Sequence, residues 1–441
     1  GWRCRFFGGA IKKYHICQFK FSIRKSEPNF SIQSKMIKKF IVSLGLLFSL
    51  VSTAQEGTSS PYSFYGIGDV KFKGTVETRS MGGVSVFSDS IHINLQNPAQ
   101  LAGLKLTTFS IGGSTNNTKL NTETQNEKSR RTNLDYLAVG IPAGKFGFAF
   151  GLMPYSSVGY KILNLTSATN PFITQYNGIG GINKVFLGFG YKINKNLSLG
   201  VDAQYNFGSI ETKSFRYLTT IESGTLEVNN SRIQGVNFTT GLAYETKVSK
   251  KHTFFGSVVY APQANLNLKN ERRITVSDQV DNQPVQNLNF NLPSRFSIGS
   301  GFGEVRKWLV GAEVTFQSSS DLKNRFDDIS GVVFENSKRY SVGGYFVPNF
   351  SSYNSFFKRV TYRGGLRYEN TGMVIQNKSI EDFAVNLGLG LPLSGTFSNI
   401  NIGFEYGKRG TVYNNLIEEN YFNLSVGLSF SDRWFVKRRI N

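Results

Sequence analysis

Ser88, Asp89, Ser90 and His92 fall in one short stretch, SDSIH, and bring together the residue types of a hydrolytic triad. A nucleophile, a base and an orienting carboxylate must converge in space, and neighbours in sequence do not supply that geometry. The paired carboxylates Glu381-Asp382, Asp327-Asp328 and Glu418-Glu419 could in principle divide general-acid and general-base work. They stand in or beside polar stretches and read as solvated charge. His92 and His252 are the histidines beyond residue 54, and neither has the spacing of a metal ligand set. The glycines of GIGGIN (178–183) lack the strand–turn–helix setting of a nucleotide loop. No catalytic constellation assembles, so an enzyme is not expected, nor is a cofactor or a metal.

The elements that would position any site carry a plainer signal. In KFGFAFGLMP, Phe146, Phe148, Phe150 and Leu152 occupy every second position, with Gly147, Ala149 and Gly151 between them. Period two is the signature of a strand, whose successive side chains point to opposite faces. In LSLGVDAQYNF, Leu199, Val201 and Tyr205 face Asp202, Gln204 and Asn206, so one face is wet and the other is not. The pattern returns with Val236, Phe238, Leu242 and Tyr244 against Asn237 and Thr239, and with Phe383, Val385 and Leu387 against Asn386 and Gly388. Such repetition predicts lipid outside and a polar or small-residue lumen inside. Every backbone group must be paired in a bilayer, so strands can cross one only as a closed barrel.

Composition agrees. The 441 residues contain 46 Gly and only 11 Pro, with 14% aromatic and 18% charged residues. The net charge of +21 comes without a basic helix, zinc spacing or RNP-like motif, so no nucleic-acid partner is expected. Residues 36–54, MIKKFIVSLGLLFSLVSTA, read as a secretory signal, with Lys38 and Lys39 before an apolar run too short to span a membrane. Residues 1–35, which hold Cys4 and Cys17, read as an upstream artefact of start assignment. Short turns at 142–145, 194–196, 247–252, 304–307 and 392–395 alternate with long polar stretches at 115–132, 155–178, 209–232, 262–293 and 318–337. That alternation predicts an all-β transmembrane antiparallel barrel of about fourteen strands over 103–441. Both termini and the short turns would be periplasmic, and the long stretches extracellular. The last strand, YFNLSVGLSF, ends in Phe430, and Trp434 and Phe435 suit an interfacial aromatic girdle ahead of Lys437, Arg438 and Arg439. Outer-membrane lipid and lipopolysaccharide are the expected surroundings.

Residues 55–102 precede the first strand and read as a hatch. Pro98 fixes φ and holds Asn97 extended, while Gly82 and Gly83 permit tight turns in a crowded lumen. Met81-Gly82-Gly83, the Ser88-Asp89-Ser90 segment and Asn97-Pro98-Ala99 just before the first strand resemble the hatch of FadL-type outer-membrane transporters. A last strand ending in Phe similarly resembles the signal read by the barrel-assembly machinery. The FadL-type resemblance implies a hatch plugging a fourteen-stranded barrel and passive uptake of hydrophobic small molecules. It makes Met81, Gly82, Gly83, Asn97, Pro98 and Ala99 candidate gating residues. Tyr62, Phe64 and Tyr65, with Phe172 and Ile173 from the more apolar stretch 162–176, are candidate contacts for a hydrophobic ligand. FadL-like barrels also include accessory and shuttle subunits of protein secretion systems, with secretion-system proteins as partners. That alternative, and a structural or porin-like barrel, remain open at this point.

Overall fold

The computed structural model describes residues 57–164, 171–218, 224–285, 288–326, 331–393 and 397–434. The expected leader at 36–54, the stretch before it, Asp327-Asp328 and the tail from Phe435 lie outside the described residues. A single antiparallel sheet closes on itself into a barrel of 14 strands. In chain order these are β1 (Thr107–Asn121), β2 (Asn126–Ala143), β3 (Phe146–Asn164), β4 (Ile173–Lys192), β5 (Leu197–Tyr217) and β6 (Gly224–Lys247). Next come β7 (Thr253–Ala261 and Ala264–Val276) and β8 (Gln279–Gln283, Leu288–Leu292 and Arg295–Glu304), each interrupted beside a proline, Pro262 or Pro293, which has no N–H to give the ladder. The circuit continues through β9 (Trp308–Gln317), β10 (Val332–Phe334 and Ser337–Phe346), β11 (Thr361–Ile375), β12 (Lys378–Pro392), β13 (Asn399–Arg409) and β14 (Glu418–Asp432). It closes where Phe422 to Phe430 of β14 run beside Asn117 to Phe109 of β1.

The two faces separate as the alternation predicts. Phe148 is 38% exposed and its neighbour Ala149 1%. Asp202, Gln204 and Asn206 are buried in the lumen while Val201 and Tyr205 face outward. The expected long loops, however, are mostly strand. Of 115–132, only 122–125 leaves the ladder, and β5 and β6 stay paired as far as Tyr217 and Gly224. Beyond the lipid band the outer face turns polar, so the strict apolar alternation breaks up although the backbone pairing continues. Ser277-Asp278 and Gln376-Asn377 turn two of these hairpins with both residues at positive φ, a two-residue geometry that Asp and Asn tolerate. At the opposite end one connection departs from the short pattern: 347–360, which carries the helical turn Phe356–Arg359.

One seam in the wall is incomplete. β2 and β3 pair only between Leu137–Ala143 and Phe146–Leu152. Beyond it the N-terminal segment enters: its short strand Asp69–Val70 pairs antiparallel with Ser157 and Ser156 of β3, and Lys71 N donates to Tyr155 O at 3.0 Å. Asn133 Nδ2 of β2 donates to Gly57 O at 2.9 Å from the other side.

Candidate functional site: the lumen and its N-terminal segment

Residues 57–106 lie against the inner face of the barrel, and glycines on that face form the seats. A Cβ at Gly147 would fall on the carbonyl oxygen of Leu101, one at Gly200 on the backbone of Pro98 and Ala99, and one at Gly365 on that of Met81 and Gly82. The lumen-facing glycines therefore leave room for main chain rather than for a pore.

The six residues expected to gate are all buried, and Met81, Gly82, Pro98 and Ala99 lie at such seats. Asn97 Oδ1 accepts from Ala99 N at 3.0 Å, capping the 3-10 helix Pro98–Gly103. Asn97 Nδ2 donates to Leu242 O at 3.1 Å and Ser257 Oγ at 2.8 Å, tying that cap to β6 and β7. Gly82 has φ +69° and Gly83 φ +94°, and Gly83 N closes the turn onto Thr78 O at 2.9 Å. A side chain at Gly82 would be strained by its backbone and would strike Leu366 of β11 as well. Met81 packs with Val84, Val86, Phe87, Phe255 and Leu309.

The expected ligand contacts divide. Tyr62 is buried, donates to Ile417 O and lies 5.2 Å from the Arg409 guanidinium. Phe64 meets Tyr65 and Tyr160 edge-on at 5.1 and 5.2 Å, and Tyr176 at 6.1 Å. Around it Ile67, Val158, Ile182, Ile210, Ile233 and Leu266 complete an apolar cluster on the inner face of β3 to β8. Phe172 sits elsewhere, 4.1 Å from the Arg216 guanidinium, and Ile173 pairs with Tyr217 at the end of β5. The two groups do not form one site.

The triad-like stretch comes together only in part. His92 Nδ1 lies 2.7 Å from Asp89 Oδ2 and its Nε2 3.6 Å from Glu77 Oε1. Among the described residues, neither Ser88 nor Ser90 hydrogen-bonds the ring, so no hydroxyl is activated. Burial works against protonation of His92, but Asp89 and then Glu77 outweigh it and hold the pKa above its ordinary value.

The paired carboxylates require a correction. Glu418 is a partly exposed partner of Lys408 at 2.8 Å, but Glu419 and Asp382 are buried in the lumen. Asp382 belongs to a network with Arg367 at its centre, 3.3 Å from Asp382, 2.9 Å from Glu405 and 3.5 Å from Glu369. Arg339 adds a two-pronged pair to Glu369 at 2.8 and 3.1 Å. Beside it the N-terminal segment makes polar contacts of its own with the wall, Asp69, itself 3.1 Å from Lys71, lying 2.8 Å from Arg409, and the Ser60 hydroxyl donating to Glu419. Sequence reasoning missed this network, although Arg363, Arg367 and Glu369 share the lumen parity of β11 with Gly365. Two cavities lie along it, of about 160 Å³ and 140 Å³; Asp69, Lys71, Arg367, Asp382 and Arg409 line both. The larger cavity also has apolar wall from Ile67, Phe72, Phe290, Phe334 and Met373, whereas the smaller is lined mainly by charged and polar groups, which suit water and small polar groups.

The closed fourteen-stranded antiparallel barrel matches FadL-type outer-membrane barrels among the solved structures. The toluene transporter TodX of Pseudomonas putida matches at TM-score 0.55 and 14% identity, over 84% of this chain and 100% of that one. A FadL homologue of Pseudomonas aeruginosa matches at 0.56 and 14%, over 83% and 98%. The monoaromatic hydrocarbon channel CymD matches at 0.53 and 12%, over 85% and 99%. At these identities the likeness is one of fold, and at that level the resemblance expected from the N-terminal motifs holds. The chain belongs to the BamG family, whose model matches residues 36–441. A comparison with curated protein sequences found no match.

Proposed function

We propose that this chain is an accessory barrel of an outer-membrane barrel-assembly machine, built on a transporter fold whose lumen is largely filled by its own N-terminal segment. The observation that carries this reading is membership of the BamG family over nearly the whole sequence, a family whose name points to the barrel-assembly machinery. The lumen supports it. Main chain is seated on glycines, the apolar half of the interior is packed by Phe64 and Ile67, and charged residues line part of both described cavities. Residues 55–102 act as a hatch held at rest by Met81 to Gly83 and Asn97 to Ala99. The short turns and both chain ends face the periplasm, and the membrane is the outer membrane of a Gram-negative cell.

Uptake of hydrophobic small molecules is the second reading. The fold shared with hydrocarbon channels favours it, as does the incomplete seam between β2 and β3. On that reading Tyr62, Phe64, Tyr65, Phe172 and Ile173 would meet the ligand in passing.

Depletion of the protein in its own host separates the two. The assembly reading expects a broad fall in the amount of folded, heat-modifiable barrels in the outer membrane. Normal barrel levels together with lost accumulation of a radiolabelled monoaromatic hydrocarbon would overturn it in favour of uptake. In planar bilayers the intact chain should show little steady conductance, and deletion from Tyr62 to Leu101 should give large steady steps. High conductance from the intact chain would remove the hatch.

A further inference from the structure

The connection 347–360, VPNFSSYNSFFKRV, joins β10 to β11 at the short-turn end and is longer than the turns 144–145, 193–196, 248–252 and 305–307 at that end. It holds itself in place. Val347 N donates to Lys307 O at 2.6 Å, and Asn349 N donates to Lys358 O at 2.8 Å across its base. Tyr362 Oη of β11, on the lipid-facing parity, donates to Phe357 O at 3.3 Å and draws the helical turn towards the outside of the barrel. Yet its aromatic side chains are uncovered: Tyr353 is 97% exposed, Phe357 73%, Phe350 50% and Phe356 41%. Cations stand among them. The Arg306 guanidinium lies 5.0 Å from the Phe350 ring and that of Arg359 5.9 Å from Phe356. The stretch contains no Asp or Glu, and no ion pair to Lys358 or Arg359 is found among the described residues.

Aromatic rings exposed to water on a structured connection need an apolar neighbour, and unpaired cations beside them need an anionic one. A layer of anionic phospholipid headgroups over acyl chains offers both at one depth. Aromatic side chains concentrate at that depth, and basic amphipathic segments lie in it. The surface is also continuous with the lipid-facing wall, since Phe346 before the connection and Tyr362 after it both point outward.

We infer that the 347–360 connection is a flap that docks on anionic phospholipid beside the barrel rim. Tyr353, Phe356 and Phe357 enter the acyl boundary, and Lys358 and Arg359 hold headgroup phosphates. The role does not depend on the assembly reading, because any partner in the membrane would meet a barrel whose rim is fixed to its lipid in this way.

The test uses the full chain refolded into phosphatidylcholine vesicles with and without phosphatidylglycerol, in single variants Phe357→Trp and Tyr353→Trp. Emission is read as the difference from the parent chain, and heat-modifiable migration on gels confirms that each variant has folded. Trp emission should shift to the blue in the anionic vesicles, with strong quenching by brominated acyl chains and weak quenching by aqueous iodide. Adding Lys358→Glu and Arg359→Glu should abolish the dependence on phosphatidylglycerol while leaving the barrel folded. Water-exposed emission that iodide quenches equally in both vesicle types would overturn the proposal. So would shielding that appears only when other outer-membrane proteins are added, which would make the face a protein interface.

Discussion

On the inner face of β4 to β8, Ile182, Ile210, Ile233, Leu266 and Phe290 pack against Phe64 and Ile67 of the N-terminal segment. On the inner face of β10 to β13, Arg339, Glu369, Arg367, Asp382 and Glu405 form a chain of ion pairs, and beside it Arg409 pairs with Asp69 of the same segment. From outside, the two halves of the wall carry the same lipid-facing Phe, Leu and Val. One half thus holds the segment by burial, which is indifferent to direction. The other holds it by charges that need their partners in fixed places. A transporter's movable hatch would be expected to pair weakly with its wall, whereas a permanent plug can afford a network that fails badly when one member is lost.

The comparison breaks hardest at Arg367. Arg367→Leu leaves Asp382, Glu405 and Glu369 facing one another in a buried space. Removing one partner of such a cluster costs about 3–5 kcal/mol. The urea midpoint of the refolded barrel in detergent micelles should fall accordingly. A midpoint equal to the parent's would mean that water already screens the cluster.

Leu266→Ala probes the other half. Leu266 is fully buried, so the cavity left behind should cost about 2–5 kcal/mol, without the salt dependence that changes among the charged residues would show. Equal salt dependence in the two variants would erase the distinction between the halves. The outer face supplies the reference for both. Phe148→Arg places a charge towards lipid at roughly 2–4 kcal/mol if it lies near mid-bilayer, while Ala149→Ser, on the lumen side, should cost much less. Similar losses on folding into vesicles would contradict the assignment of faces.

The wall was legible in the sequence because lipid on one side and tight packing on the other force period two, with glycine wherever main chain approaches from inside. The ends of the strands were not, since in the outer parts of β5 and β6 polar residues such as Glu211, Lys213, Asn229 and Asn230 break up the strict apolar alternation although the backbone pairing runs on to Tyr217 and Gly224. Asn97 and Pro98 could be picked out as special, but their seats could not: Asn97 reaches Leu242 and Ser257, far along the chain, and only barrel closure brings them together. The ion network had a signal in the charges at lumen parity on β11. Adjacent acids such as Glu418-Glu419 concealed it, because on a strand one of such a pair faces out and the other in.

The smallest expected effect belongs to His92, where a titratable group of the segment sits between the two modes of attachment. Asp89 and Glu77 face the ring at 2.7 and 3.6 Å, and Arg363 of β11 opposes them electrostatically. Its folded-state pKa lies above the ordinary value of about 6.5. The stabilisation from the charged ring is therefore fully present below that ordinary value and is lost as pH rises through the raised one. Asp89 is half exposed, so solvent screens the stronger of the two attractions and the whole effect should stay below about 1 kcal/mol. Hydrogen exchange at the Ile91 amide, which donates to Asp89 Oδ1 at 3.0 Å, is a local reporter. After correction for the intrinsic base-catalysed rate, its protection should decline as pH rises above the ordinary histidine value of about 6.5 in the parent and stay flat in His92→Gln. A decline of the same size in the variant would move the titration off His92. Protection that rises with pH would reverse the sign, leaving the ring neutral in the folded chain and the segment's turn held by packing alone.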